Sequence, residues 1–214
     1  MKHINLFGLV VAVSAFSSYA QPTGLPSNVY RWADLPVEKK STGERRAILE
    51  DKTYHLSYVE MHATTIAAGL APHAPHSHVD EELILVKEGK VRITIAGQSK
   101  DIGPGGIALI QSNEEHGMVN IGATPATYYV IRYRGNAMDS ARGERGGGSQ
   151  LIVKEDLEVM DTGKGTRTNY FDQSTSAVDN FEMHVTSLRK DQDSHAPHTH
   201  EAEEIILIIR GNVQ

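Results

Sequence analysis

Two imidazoles stand at i and i+2 in His76-Ser77-His78. Side chains at that spacing leave the same face of an extended strand, so both can meet one ion. Glu82 follows closely enough to return from a short loop with a carboxylate. Pro75 confines Ala74 to extended conformations and stiffens the approach, and Gly89 offers a turn into the next strand. Such donors suit a divalent transition ion, whose affinity falls in acid as the imidazoles take up protons. The plainer alternative is a set of histidines that merely hydrogen-bond. The chain has no cysteine, which excludes thiolate ligands, disulfides and a cysteine nucleophile.

Other groups near this set can take part in chemistry. Glu60 and His62 share one strand face and read either as a proton relay lining a cavity or as part of a polar outer face. His73, three residues before the pair, is a candidate substrate contact or acid–base group, against the commoner reading of a loop histidine. Glu81 points away from Glu82 in a regular strand and reads as surface charge. Arg132 and Arg134 can hold an anionic substrate, with surface exposure as the plainer reading. No Ser-His-Asp order or phosphate loop competes with the metal reading.

The elements that must position these residues occur twice. A shift of 122 aligns residues 29–89 with 151–211 without a gap, and the identities gather around the histidines. His73, His76, His78, Glu82 and Gly89 meet His195, His198, His200, Glu204 and Gly211, while Glu60 and His62 meet Glu182 and His184. Two copies of one domain are the simplest account. Residues 21–135 form copy one with an N-terminal arm, 136–150 a Gly-rich linker or exposed loop, and 151–214 copy two. Arg134 would have its counterpart at 256, about 42 residues past Gln214, so copy two is expected to be truncated and the chain a fragment.

Strand signals dominate copy one. The stretch 56–66 alternates in part, with Val59, Met61 and Ala63 on one face and Tyr58, Glu60, His62 and Thr64 on the other. Short runs at 82–87, 91–96, 106–111 and 127–133 are rich in Ile, Val, Leu and Tyr, with Gly-containing turns between them. A short helix is admissible after Val29 or near Ala137. Many short strands without a long amphipathic helix indicate an all-β antiparallel sandwich or barrel.

At this point the residues resemble a known family. The run His76-x-His78-x3-Glu82-x6-Gly89 is similar to the first cupin motif at its full spacing. Gly105-x5-Gln111-x-Asn113-x2-His116-x3-Asn120 resembles the second, with Gln111 where cupins usually carry proline and Asn113 where they carry glycine. The glycine expected six residues before His76 is displaced by one, to Gly69. The resemblance implies a double-stranded β-helix, or jelly-roll, barrel for each copy, hence a duplicated bicupin whose second barrel is incomplete. It implies metal ligation by His76, His78, Glu82 and His116, and by His198, His200 and Glu204 in copy two. Three imidazoles and one carboxylate suit a divalent ion, Mn or Fe first, with Ni, Cu and Zn also compatible. Four protein ligands in octahedral coordination leave two positions for water or substrate.

Cupin relatives include dioxygenases, oxalate-oxidising enzymes, isomerases and ureidoglycine aminohydrolases. The resemblance therefore implies redox or Lewis-acid chemistry on a small polar or anionic metabolite. The other reading is a non-catalytic module that binds a sugar or organic acid with a structural metal. Cupins commonly pair through sheet edges, so a homodimer is implied too.

Residues 1–20 read as a signal peptide: Lys2 and His3, an apolar stretch over 4–16, then Ser18-Tyr19-Ala20 before Gln21. The stretch is too short for a permanent span, so periplasmic or secreted placement without a stable membrane anchor is expected. A net charge of −6, with no Lys/Arg run, argues against nucleic acid as a partner.

Overall fold

The alternation at 56–66 becomes strand β3 (Leu56–Ile66) in the computed structural model, which describes residues 24–213. The segment expected to direct export lies outside the described residues. β3 sits within a seven-stranded antiparallel sheet together with β1 (Val37–Lys40), β2 (Gly43–Asp51), β4 (Glu81–Glu88), β7 (Ile107–Ile110), β9 (Ala126–Gly135) and β10 (Gln150–Ile152). The order is β1-β2-β3-β9-β4-β7-β10. A second sheet has the order β6-β5-β8, from β6 (Gln98–Ile102), β5 (Val91–Ile95) and β8 (His116–Asn120).

The two sheets enclose one apolar core. Ile66, Ile84, Val86, Ile110, Tyr128 and Val130 of the large sheet meet Val91, Ile93, Ile95 and Ile102 of the small one. Burying these side chains supplies the main force that closes the barrel. Gly89 takes the chain from β4 to β5 at φ +84, where a Cβ would strike Ala126. Ala96 and Gly97, both at positive φ, close the β5–β6 hairpin as a type I′ turn.

The other face of the large sheet is not left to water. Leu83, Leu85, Met61, Ala63, Leu109 and Tyr129 pack against Tyr170 and Phe171 from a further antiparallel sheet. That sheet comprises β11 (Met160–Asp161), β12 (Gly165–Gln173) and β13 (Phe181–Leu188). β4 is therefore buried on both faces, which explains the unbroken Leu83-Ile84-Leu85-Val86 run.

Elements recur at the offset seen in the sequence. β12 occupies the positions of β2 moved by 122, and the 3-10 turn Trp32–Asp34 returns as Lys154–Asp156. The register shift between Ala47 and Leu49 returns between Asn169 and Phe171. Described residues after Leu188 form no strand.

Residues 136–150, read as a linker, hold a helix, α1 (Ser140–Arg145), capped by the Asp139 side chain. Arg142 donates to the carbonyls of Thr175 and Ser176 at 2.8 and 2.7 Å, and Gly143 is buried against Gln111 and Ser176. Within this stretch Arg142 and Gly143 are packed, whereas Ser140, Ala141, Glu144 and Arg145 are exposed. Among the described residues, no helix is long and apolar enough to cross a membrane.

Candidate metal centre

Backbone pairing brings two distant segments together. His76 N–H donates to the His116 carbonyl at 3.0 Å, and His116 N–H donates to the His76 carbonyl at 2.8 Å. Asn113 N–H then reaches the His78 carbonyl at 2.8 Å. Asn113 holds φ +64, the left-handed conformation that Asn tolerates better than most residues. Gly69, the displaced glycine, is likewise left-handed at φ +74.

The rings of His76, His78 and His116 converge, with centroids 4.6 to 5.2 Å apart. One ligand nitrogen from each lies within 4.8 Å of the others. Glu82 joins them from β4: its Oε2 is 3.1 Å from His78 Nε2 and 3.9 Å from His116 Nε2. The structure therefore gathers all four groups singled out in the first copy.

Protonation can be read from partners. His78 Nδ1–H donates to the Asp80 carbonyl at 2.8 Å, and His116 Nδ1–H to the Glu114 carbonyl at 2.9 Å. Each Nε2 is thereby turned into the cluster as the available ligand atom. His116 is buried, and its Nε2 has no hydrogen-bond partner; neither does the buried His76 Nδ1. A buried polar atom left unmatched is costly, and a divalent cation among these donors would satisfy it. Burial, followed by the charge of His73, holds the His76 imidazole below its ordinary value, which favours the neutral, ligating form. The Glu82 hydrogen bond raises His78. Burial pushes Glu82 up, but the His78 hydrogen bond and the charges of His116, His78 and Arg132 outweigh it, so its pKa falls. The residues present fit a divalent metal.

Glu60 and His62 lie on the inner face of the barrel, continuous with Ile66 and paired across to Arg132 and Val130. The polar-outer-face reading does not hold. Glu60 is buried and accepts from His62 Nδ1 at 2.7 Å and Arg45 at 2.5 Å. His73 is exposed outside the cluster, its ring 4.4 Å from that of His76.

Glu81 is a correction. It is fully buried, not surface charge, because the segment around Ser176 covers that face; it accepts from Ser176 N–H at 2.7 Å. Arg134 is exposed, as the plainer reading has it, and Arg132 half-buried, and both clasp the buried Asp80. Asp80 escaped the sequence reading, although its counterpart 122 residues on is Ala202, a break in the repeat that could have marked it.

The later histidines are spread more openly. His198 and His200 have ring centroids 5.5 Å apart, and His200 Nε2 lies 3.5 Å from Glu204 Oε2. His195 stacks edge-on against His198 at 4.5 Å, as His73 does against His76. His200 and Glu204 are 41 % and 54 % exposed, against 16 % and 9 % for His78 and Glu82. Among the described residues they gain no third imidazole comparable to His116.

Residues 63–132 match the family model of the cupin domain. No curated protein matches the chain. Among solved structures, an RmlC-like cupin from Shewanella frigidimarina is 14 % identical, with 50 % of this chain and 91 % of that chain covered and a TM-score of 0.43. KdgF from a Halomonas species is 13 % identical over 52 % of this chain and 97 % of that chain, with a TM-score of 0.44. Oxalate decarboxylase from Bacillus subtilis is 19 % identical over 55 % of this chain and 32 % of that chain, with a TM-score of 0.42. The residues matched to the cupin domain, 63–132, carry His76, His78, Glu82 and His116, and the two sheets that hold them form an all-β jelly-roll fold.

Proposed function

We propose that this chain is an exported bicupin enzyme that uses a divalent metal, Mn or Fe first, on a small polar or anionic metabolite. His76, His78, Glu82 and His116 would hold the ion in the first copy, with His198, His200 and Glu204 as the corresponding set in the second. The observation that carries the reading is the buried, partnerless His116 Nε2 facing Glu82 and His78. A bound ion would supply a Lewis-acid or redox centre for an anionic oxygen.

The surrounding residues suit such a guest. His62 donates through Nδ1 to Glu60, which leaves its Nε2 free to accept a proton from a bound molecule, and Arg45 steadies the Glu60 carboxylate. Arg132 stands in register between Glu60 and Glu82, and its Nε is buried without a partner. Adjacent strands are about 5 Å apart, so Glu60 and Glu82 rise from strands about 10 Å apart with the Arg132 guanidinium between them, a charge that suits an anionic guest. His73 at the rim is a further candidate to contact substrate.

The test is elemental analysis of protein purified without added metal, alongside a His76→Ala/His78→Ala variant. Near-stoichiometric metal in the parent and a clear loss in the variant is the expected result. Equal metal in both would remove the first copy from the reading. Metal-loaded protein is then offered pools of small acids and polar metabolites, with oxygen uptake and hydrolysis followed. Binding without turnover in either assay would favour the non-catalytic module.

A further inference from the structure

We propose that Asp80 is a positioning residue for the His78 ligand, held in place for that task by Arg132 and Arg134. This rests on the metal reading of the His76, His78, Glu82 and His116 cluster. Three consecutive acids, Asp80, Glu81 and Glu82, are all buried, yet each has a different partner. Glu82 faces the imidazoles and Glu81 takes the Ser176 amide. Asp80 takes the two arginines of β9: Arg132 donates to Oδ2 at 2.5 Å, and Arg134 Nε donates to Oδ1 at 2.8 Å.

The backbone of the same residue touches the metal cluster. The Asp80 carbonyl accepts His78 Nδ1–H at 2.8 Å, which sets the ring's tautomer and rotation and presents Nε2 to Glu82. Clamping the Asp80 side chain from β9 therefore fixes the carbonyl that aims the ligand. Paired, charge-assisted hydrogen bonds are directional, so they restrict geometry even where solvent weakens their energy. Both arginines are partly open to water, at 32 % and 44 % side-chain exposure, which places the value of the clamp in geometry more than in stability.

The chain contains its own comparison. His200 Nδ1–H donates to the Ala202 carbonyl at 2.6 Å, the same backbone contact with no carboxylate to anchor it. There the ring is open to solvent, whereas His78 is enclosed.

The experiment uses the full chain carrying His198→Ala/His200→Ala, so that only the first cluster is read. Asp80→Ala, Asp80→Asn and Arg134→Gln are added singly to that background. Co2+ affinity is measured by competition with a chromophoric chelator, the visible spectrum of the Co2+-loaded protein is recorded, and the melting temperature is taken without metal. Asp80→Ala is expected to weaken Co2+ binding about 10- to 100-fold, the range for outer-sphere partners of metal ligands, and to alter the ligand-field spectrum. Asp80→Asn, which keeps an acceptor oxygen, should lose less.

A folded Asp80→Ala protein with the parent's affinity and spectrum overturns the positioning role, whatever its melting temperature. Should Asp80→Ala fail to fold, parent-like affinity and spectrum in both Asp80→Asn and Arg134→Gln would overturn it equally. If the background protein itself takes up no Co2+, the metal reading falls and the proposal falls with it. Failure of the clamp alone is distinguishable, because Co2+ binding then survives in every variant.

Discussion

Among single side chains, a proton and the proposed metal ion would compete for one gap. His78 gives its Nδ1 hydrogen to the Asp80 carbonyl, so its Nε2 can face Glu82 Oε2 at 3.1 Å only with a positive species between them. Without an ion that species is a proton, which is why Glu82 raises His78 while His78 and neighbouring charges bring Glu82 down against its burial. The signs define a window. The raised histidine contributes stability in full below its ordinary value of 6.5, and loses it as pH climbs through the raised value. The lowered carboxyl contributes in full above 4.5, and loses it as pH falls through the lowered value. The pair therefore supports the metal-free barrel best between those two ordinary values. Ion binding must expel the shared proton, so affinity should rise with pH across the His78 titration. Calorimetry with Mn2+ in buffers of different ionisation enthalpy should report proton release on binding. In metal-free Glu82→Gln protein, the His78 ring resonances should titrate nearer the ordinary value. An unmoved titration would refute the shared proton.

At the scale of elements, β4 shows what pattern reasoning can and cannot reach. Alternation located Leu56–Ile66 to the residue, because one face is apolar and the neighbouring positions are polar. It missed Gln98–Ile102, whose first residues are polar and exposed at a sheet edge, and His116–Asn120, which has only Met and Val among polar residues. The ligand spacing was legible because strand period and turn chemistry are local. The burial of Glu81 was not, since the face opposite the barrel interior is covered by residues almost a hundred positions later. Ser176 N–H also reaches Gln111 at 3.1 Å, so strand, loop and second unit meet at that carboxylate. Glu81→Ala should destabilise the protein by about 1–3 kcal/mol, the cost of leaving buried polar groups short of partners. Denaturant unfolding would measure the loss. Hydrogen exchange should show the Ser176 amide opening faster than those of β5; unchanged protection would separate this carboxylate from the seam.

For the whole molecule, the offset of 122 sets β12 against β2 but carries no sign that the later elements lie on the earlier sheet. Periodicity identifies a repeated unit; packing between units depends on surfaces that meet only after both have formed. Phe171 and Tyr170 fill the outer face of the large sheet, while Phe171, Phe181 and Tyr133 form an edge-to-face aromatic chain with centroids 5.0 and 5.3 Å apart. Because this core joins the large sheet to the β11–β13 sheet, calorimetry should record one cooperative melt. Phe171→Ala should lower that whole transition, with a loss of about 3–5 kcal/mol for a buried phenylalanine. Two melts, with only the upper or lower one displaced, would assign independent stability to each unit. The short strand Gln150–Ile152 carries a further consequence. It is laced beside Ile107–Ile110, beyond the glycine-rich stretch that looks like the natural place to cut. A protease nick between residues 143 and 148 should therefore leave two pieces that still travel together. A fragment ended at residue 149 would instead bare the rim of Ile107–Ile110, inviting a stray strand from another molecule to take the vacated berth.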